Sequence, residues 1–336
     1  LPPPAQTLAQ PLVALGKRSM SGYLGQTVGW WAGFGLAGVG MLAGLIVFVL
    51  GKPLLQGKGE PPDLELMRRP VAGPLNREWL VYLFGIAMIG VVWLLFQSHD
   101  VVGMALIVCT LAALGFITYV IGFRLRDDKV ARERMQLAMV LIFGSVVFFT
   151  LFEQAGSSLN LFADRNVDLS IGSGVSTLGP LIFGTRAALI DAGLTPGLMA
   201  DGRLWIETGI TAAQTQSFNA GFILIFAPVF ASMWAWLATH GRDPNPVLKF
   251  GLGLMQVGLG FLVVVWGVQS GLVDEAFRTP LIMLLGLYLL HTTGELFLSP
   301  VGLSEITKLS MAKVVSFMMA VWFLASSIAQ YVGGWI

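Results

Sequence analysis

Two carboxylates lie inside stretches of the chain that are otherwise apolar, and they are the residues best placed to carry chemistry. Glu295 follows several turns of apolar residues that are interrupted only by Tyr288, His291 and a few small polar residues. An ionised side chain at the centre of a helix in lipid costs at least about 3 kcal/mol. Glu295 must therefore be protonated, paired or in contact with a water-filled cavity, and a functional role is predicted for it.

Glu153 is the second such carboxylate, and it is less isolated. It lies in FFTLFEQAGSSLN, close to Gly156, where a helix is expected to end. A carboxylate there could take part in proton transfer, or it could simply lie at the membrane interface. Gln154 beside it points about 100° around a helix, so the two side chains are not expected to share one ligand contact.

The residues one turn on either side of Glu295 suggest how an intramembrane site could be built. His291 lies four residues earlier, on the same helix face, and could shuttle protons or donate a hydrogen bond that neutralises Glu295. Pro300 has no backbone donor and frees the carbonyl of Leu296. This pattern predicts a kink with an exposed acceptor beside the carboxylate.

Further candidate residues are an amide, an indole and several glycines. Asn219 opens the fifth apolar segment, as a helix-start residue or as a ligand contact. Trp322 is central in the last segment, away from the interfaces where tryptophans usually anchor, which favours a cavity or a helix contact. Glycines at helical spacing predict close helix packing or flexing in a moving bundle; they are Gly40, Gly44, Gly251, Gly253, Gly258 and Gly260.

Several other kinds of protein lack support in the sequence. There is no metal-ligand spacing, no glycine-rich phosphate loop and no nucleophile-base-orienter set, so no metal site, no ATP-driven mechanism and no enzyme are expected. The histidines, His99, His240 and His291, stand far apart. A net charge of +1 gives no basic field for nucleic acid. Cys109, the single cysteine, cannot form an internal disulfide.

The elements that must position these residues are long apolar helices. The chain has 336 residues, of which 55% are hydrophobic and 12% charged, whereas soluble domains carry about a quarter charged residues. Since roughly 20 apolar residues cross a lipid bilayer as a helix, eight segments are predicted to span it: Val28–Leu50, Trp79–Gln97, Val101–Phe123, Met135–Gly156, Phe218–Ala238, Phe250–Gln269, Pro280–Pro300 and Val314–Ile336. The predicted fold class is an all-α integral membrane protein.

Lysine and arginine predict the orientation of these segments, because cytoplasmic loops hold the excess. The loops after the first, third, fifth and seventh segments hold fourteen of the 20: Lys52, Lys58, Arg68, Arg69, Arg77, Arg124, Arg126, Lys129, Arg132, Arg134, Arg242, Lys249, Lys308 and Lys313. The remaining six lie in the other loops and the N-terminal region. The first segment is therefore predicted to end in the cytoplasm, and the long loop 157–214 to lie outside.

Composition divides the chain into regions. These are an irregular N-terminal segment 1–27, a helix 28–50, a cytoplasmic linker 51–76, a two-helix antiparallel hairpin 77–123 and a five-helix bundle 133–336. The sequence starts without methionine and stops at Ile336 inside an apolar run. Both ends are therefore expected to be cut.

Five blocks of sequence resemble one family. FFTLFEQAGSSLNLFADRNVD, QSFNAGFILIFAPVFASMW, HTTGELFLSPVGLSEITKL and MMAVWFLASSIAQYVGG are similar to the bacterial proton-dependent oligopeptide transporters, a branch of the major facilitator superfamily. GYLGQTVGWWAGFGLAGVGML is similar to the family's sixth helix and the loop before it. The resemblance runs from about Gly22 to the end, and the FEQ-G and GEL-LSP-GLS blocks are its most specific parts.

The resemblance implies an incomplete major facilitator superfamily-type helical bundle. The first segment matches the last helix of the N-terminal bundle, the hairpin matches two helices inserted between the bundles, and the rest match helices seven to eleven. The partner six-helix N-terminal bundle and its ExxER motif are not found in the sequence, and neither is the twelfth helix. The chain alone is therefore expected not to transport.

The resemblance also implies a function. It implies proton-coupled symport of di- and tripeptides across the cell inner membrane by alternating access, with the proton as coupling ion and no other cofactor. Glu295 matches the carboxylate that receives the peptide's amino terminus, and Glu153 matches an acidic position implicated in proton coupling.

Four more positions carry over as substrate-binding residues. Asn219 matches an amide that contacts the peptide backbone. Trp322 and Ser299 match a pocket wall and a polar cavity residue. Phe149 stands where the family usually has tryptophan, so an aromatic wall remains without its indole donor.

Three alternatives stay open. Relatives with the same fold move nitrate or other small solutes. An intramembrane enzyme could use Glu153 and Glu295 as acid and base, although nothing beside them activates a substrate. A truncated membrane domain could serve only in interaction or regulation.

Overall fold

The protein is an assembly of long helices with short strands in its connections. A computed structural model describes residues 24–25, 28–55, 63–72, 75–170, 174–194 and 203–336. Within these ranges eight helical stretches are long and apolar enough to cross a membrane. The all-α, multi-pass membrane fold predicted from composition is confirmed.

The helices and strands follow one another along the whole described chain. The helices are α1 (Trp30–Gly51), α2 (Leu64–Arg68), α3 (Arg77–Phe96), α4 (His99–Tyr119), α5 (Lys129–Phe152), α6 (Ser158–Asn166), α7 (Arg186–Asp191), α8 (Ala212–Thr215), α9 (Ser217–Thr239), α10 (Pro246–Gln269), α11 (Leu281–Leu309) and α12 (Val315–Gly333). The strands are β1 (Pro70–Ala72), β2 (Leu75–Asn76), β3 (Val167–Asp168), β4 (Ser176–Leu178), β5 (Leu181–Gly184), β6 (Leu204–Glu207) and β7 (Thr279–Pro280).

Several spans begin earlier than their apolar stretches, because polar side chains cap them. The Asn76 side chain accepts from the Trp79 N–H at 2.9 Å, and Asp128 accepts from the Ala131 N–H at 2.9 Å. Asn245 accepts from the Leu248 N–H at 2.7 Å, just ahead of Pro246 in the first turn of α10. Such caps satisfy backbone donors that a helix start leaves free.

Helix α11 continues past Pro300 to Leu309, so the predicted end of this segment at Pro300 is wrong. Gly302 and Ile306 beyond the proline are buried. A Cβ added to Gly302 would overlap the Trp322 ring of α12. Packing against α12 therefore holds the last turns helical despite the missing proline donor.

Among the described residues, those within 34–116 form one compact unit, and those from 117 to 336 together with the few before 34 form the other. In the first unit, α3 and α4 are separated only by Gln97 and Ser98, and most of their large apolar side chains are exposed. That exposure fits helices that face lipid. The antiparallel hairpin stays a prediction.

Helix α11 is central in the second unit. It packs against α5, α9, α10 and α12, and buries Leu284, Leu287, Tyr288 and Leu298. Its contact with α10 is the most extensive, and it brings the two backbones close together: a Cβ on Gly253 would lie 2.8 Å from the Gly294 carbonyl oxygen. Close packing at Gly253 and Gly260 is thus confirmed, whereas Gly40 and Gly44 meet no atom within 4 Å among the residues described.

The loop predicted at 157–214 is folded over much of its length. It contains α6, β3, α7 and α8, and a sheet in which β4 pairs antiparallel with β5 and β5 pairs parallel with β6. The Trp205 indole donates to the Gly184 carbonyl at 2.8 Å. Short apolar runs inside a polar stretch pair with each other here, which composition alone does not reveal.

A second connection joins this loop to the start of α11. β3 pairs parallel with β7, placing Val167 opposite Thr279. In the preceding turn, Asp274 accepts from the Arg278 backbone N–H at 2.8 Å and pairs with its guanidinium at 3.0 Å. The Arg278 backbone N–H, together with this guanidinium, holds the pKa of Asp274 below its ordinary value. The turn before α11 is thereby fixed.

A buried lysine joins α9, α10 and α11 at the end predicted to be cytoplasmic. Lys249, 8% exposed, lies 2.7 Å from the Asp243 carboxylate and 4.2 Å from the centroid of the Trp234 ring. The Trp234 ring meets Phe297 of α11 edge-on, with centroids 5.2 Å apart. The ion pair and the ring compensate for burying the ammonium group.

Candidate functional site

Glu295 and Asn219 meet at the α9–α11 contact, where both side chains are half-buried. The Asn219 Nδ2 donates to Glu295 Oε2 at 3.3 Å and to Thr292 Oγ1 at 3.1 Å. Thr292 lies three residues before Glu295, so the two share a helix face. The structure thus brings together two predicted site residues and adds a third that was not predicted.

Thr292 was missed because a threonine in an apolar helix carries no signal by itself. It is fully buried, and its hydroxyl donates to the Tyr288 carbonyl at 2.7 Å. The available clue was its place one turn before the carboxylate. Thr293 beside it faces α10 instead, and donates to Gln256 Oε1 at 2.6 Å.

His291 does not serve Glu295 in the way its spacing suggested. Its Nε2 lies 3.1 Å from the Val257 carbonyl oxygen of α10, and the ring fills the space that Gly260 leaves open. The Phe261 ring packs 5.0 Å away. His291 is 1% exposed and is sealed between α10 and α11, so the predicted hydrogen bond to Glu295 is wrong and a proton-shuttle role is not supported.

Glu153 lies in the 3-10 turn Glu153–Gly156 that ends α5, and it is exposed. The Gln330 Nε2 of α12 donates to its Oε1 at 3.4 Å. Glu153 and Glu295 thus lie on different helical elements and have separate hydrogen-bond partners.

Gln154 points elsewhere, as its position around the helix predicted. It is 2% exposed, and its Nε2 donates to the Gly333 carbonyl of α12 at 2.9 Å. Its Oε1 accepts from the Ser157 and Ser158 hydroxyls at 3.1 Å and 2.6 Å. Gln154 thus ties the end of α5 to the end of α12.

Gln154→Ala is expected to lower the free energy of unfolding by about 1–3 kcal/mol, because it leaves several buried polar groups without a partner. Thermal unfolding in detergent measures the effect. The neighbouring exposed change Glu153→Gln is the matched control, and it should stay within about 0.5 kcal/mol. Equal losses from the two variants would contradict a structural role for Gln154.

The other predicted site residues lie on α5, α11 and α12. Phe149 is half-buried and packs edge-on against Phe148, with centroids 5.3 Å apart. Ser299 is half-buried on α11, one turn after Glu295. Trp322 is 3% exposed and packs on Gly302. The helix contact foreseen for Trp322 is present, and lining roles for all three stay predictions.

The described part of the chain holds no group of three or more histidine, cysteine, aspartate or glutamate side chains that could bind a metal ion. What the site offers is a carboxylate within α11 and an amide in the first turn of α9. Such a pair can bind a hydrogen-bond donor or a cation, and the carboxylate can take up a proton.

Comparison with known proteins gives a consistent picture. The family model "PTR2: POT family" matches residues 17–185 and 201–336. The "Uncharacterized transporter YclF" of Bacillus subtilis is 30% identical over 315 residues, which are 92% of this chain and 54% of that protein. The "Peptide transporter YePEPT" of Yersinia enterocolitica is 29% identical over 330 residues, 94% of this chain and 57% of that protein.

Solved structures show the same correspondence. A crystal structure of a mutant peptide transporter POT in complex with alafosfalin superposes with a TM-score of 0.62 at 27% identity. The match covers 97% of this chain and 57% of that one. This chain spans little more than half the length of the curated relatives that it matches.

Proposed function

This chain belongs to the POT family, and from that premise we propose that it is the part of a peptide transporter that carries the Glu295–Asn219 site. The whole protein would move di- and tripeptides across the cell membrane together with protons. The peptide transporters among its relatives and structural neighbours support the cargo class. Coupling to protons is inferred from the two carboxylates.

The pairing of Glu295 with Asn219 carries this proposal. The carboxylate lies within an apolar helix, where burying an ionisable group costs free energy, and such groups in membrane helices usually have a functional role. A peptide offers an ammonium group and backbone amides, and these match a carboxylate and a side-chain amide in chemistry. Ser299, Phe149 and Trp322 would complete the binding surface.

Proton coupling follows from what protonation does to such a site. An ionised Glu295 attracts the ammonium group of the cargo, and a protonated one does not. Glu153, at the end of α5, would be the second carboxylate to take up a proton. A proton that binds these carboxylates from the outside and leaves to the cytoplasm would then shift the equilibrium between the outward-open and the inward-open state.

The opposite side of the binding site would come from a six-helix N-terminal bundle, the partner that the family resemblance implies. The major facilitator fold places its binding site between two such halves. We propose that residues 1–336, expressed without that bundle, bind no cargo tightly and transport none.

The same geometry argues against the alternative cargo. The negative charge of Glu295 repels nitrate and other anions, so an anion transporter would need basic residues at this place. On the helices that carry Glu153, Asn219 and Glu295, the basic residues lie near the ends, at Lys129, Arg132, Arg134 and Lys308. A peptide with a free amino group fits these charges better.

Uptake by the full-length protein in liposomes tests the proposal. A labelled dipeptide should enter when the outside is made acidic, and a protonophore should stop it. An excess of unlabelled tripeptide should compete, whereas an excess of nitrate should not. If nitrate competes and tripeptide does not, the proposed peptide cargo is wrong. If uptake continues in the presence of the protonophore, the proposed coupling to protons is wrong.

A further inference from the structure

We infer that Thr292 is a positioning residue that fixes which end of the Asn219 amide faces Glu295, whatever the protonation state of the carboxyl group. The inference deepens the site described above, and only the uptake part of its test rests on the proposed function. It follows from counting the donors and acceptors of three side chains.

The hydroxyl hydrogen of Thr292 is already committed. Its Oγ1 lies 2.7 Å from the Tyr288 carbonyl oxygen, one helical turn back. A carbonyl only accepts, so the hydroxyl must donate to it. Toward Asn219, 3.1 Å away, Thr292 can therefore offer only lone pairs.

The polarity of Thr292 determines the orientation of the Asn219 amide. Only the Nδ2 end of the amide can donate to Thr292, and that same nitrogen lies 3.3 Å from Glu295 Oε2. An ionised carboxylate likewise accepts only. Both hydrogens of the amide are thus used inside the protein, and the amide oxygen of Asn219 is left for cargo.

Thr292 and an ionised Glu295 both accept from the Asn219 Nδ2. Without Thr292, protonation of Glu295 would leave nothing to hold the amide in this orientation. A protonated carboxyl can donate its hydrogen, and the amide would then gain by turning its oxygen toward it. Thr292 opposes the turn, because it would bring the amide oxygen against the lone pairs of Oγ1. Since Thr292 is fully buried, no bulk water can replace the lost hydrogen bond.

Thr292→Val and Thr292→Ser separate the hydroxyl from the shape of the side chain. Valine keeps the volume and removes the acceptor, whereas serine keeps the acceptor. In the full-length protein, Thr292→Val should raise the KM for dipeptide uptake about tenfold, the size expected for a lost hydrogen bond in the binding site. Its Vmax should stay within about twofold, and Thr292→Ser should restore the wild-type KM.

A double-mutant cycle tests whether Thr292 acts through Asn219. In an Asn219→Ala background the Thr292→Val change should have no further effect on KM, because the amide it orients is gone. The same tenfold penalty in both backgrounds would overturn the inference.

NMR gives a readout that needs no cargo. In protein labelled with heavy nitrogen at asparagine, the Asn219 side-chain signals are assigned by their loss in Asn219→Ala. These signals should move in Thr292→Val and stay in place in Thr292→Ser. If they stay in place in Thr292→Val, the inference fails even where uptake is normal. If they move as expected in a protein that takes up no dipeptide, the inference holds and the proposed function fails.

Discussion

Glu295→Gln is expected to abolish proton-driven dipeptide uptake by the full-length protein, with a loss of about 100-fold or more, because an ammonium group loses its charged partner. Glutamine has nearly the same shape and can still accept from Asn219, so folding and membrane insertion should be unchanged. Its side chain cannot ionise or carry a proton. Uptake in liposomes measures the loss, and the amount of folded protein is checked by gel filtration.

Glu305→Gln is the matched control on the same helix. Glu305 pairs with Lys308 at 2.8 Å near the end of α11, and such terminal pairs contribute less than about 1 kcal/mol. Uptake by this variant should be close to normal. If Glu295→Gln also transports normally, the carboxylate is not the cargo or proton site, and the proposed mechanism loses its basis.

Gly253→Ala is expected to lower the free energy of unfolding by about 1–3 kcal/mol, the usual cost of overpacking. The added Cβ would lie 2.8 Å from the Gly294 carbonyl oxygen and 3.1 Å from the Leu298 Cβ. Because the first of these atoms belongs to the backbone, α10 and α11 themselves must move apart. Thermal unfolding in detergent measures the loss.

Gly251→Ala is the control two residues earlier in the same helix. A Cβ there meets nothing within 4 Å among the described residues, so the substitution should be neutral or stabilise the helix by up to about 1 kcal/mol. A Gly253→Ala variant as stable as Gly251→Ala would show that the two helices are not in backbone contact.

The sequence shows what the bilayer requires of each helix, but it does not show how the helices contact one another. The eight spans follow from the length of apolar helix that a bilayer requires. Glu295 stood out because a carboxylate is costly there, and Asn219 because it opens an apolar helix. The geometry of Glu295 and Asn219, however, depends on how α9 meets α11, which no spacing within one helix encodes.

The misjudged residues have a common cause. His291 and Glu295 are one turn apart, and this spacing suggested a pair, but a carbonyl on α10 and the gap at Gly260 hold the histidine instead. The apolar run ends at Pro300, but the helix continues to Leu309, and Trp322 packs over the turn that follows the proline. In both cases a neighbouring helix decided the outcome, and a single sequence does not reveal which helices are neighbours.

The contact between α10 and α11 limits how this part of the protein can move. The two helices touch through Gly253 and Gly294, and the His291 ring lies against the Val257 carbonyl. With their backbones in contact, α10 and α11 have room only for small movements relative to each other. We expect Glu295 to move together with both helices. A covalent cross-link between α10 and α11 should therefore leave the transport rate of the full-length protein unchanged.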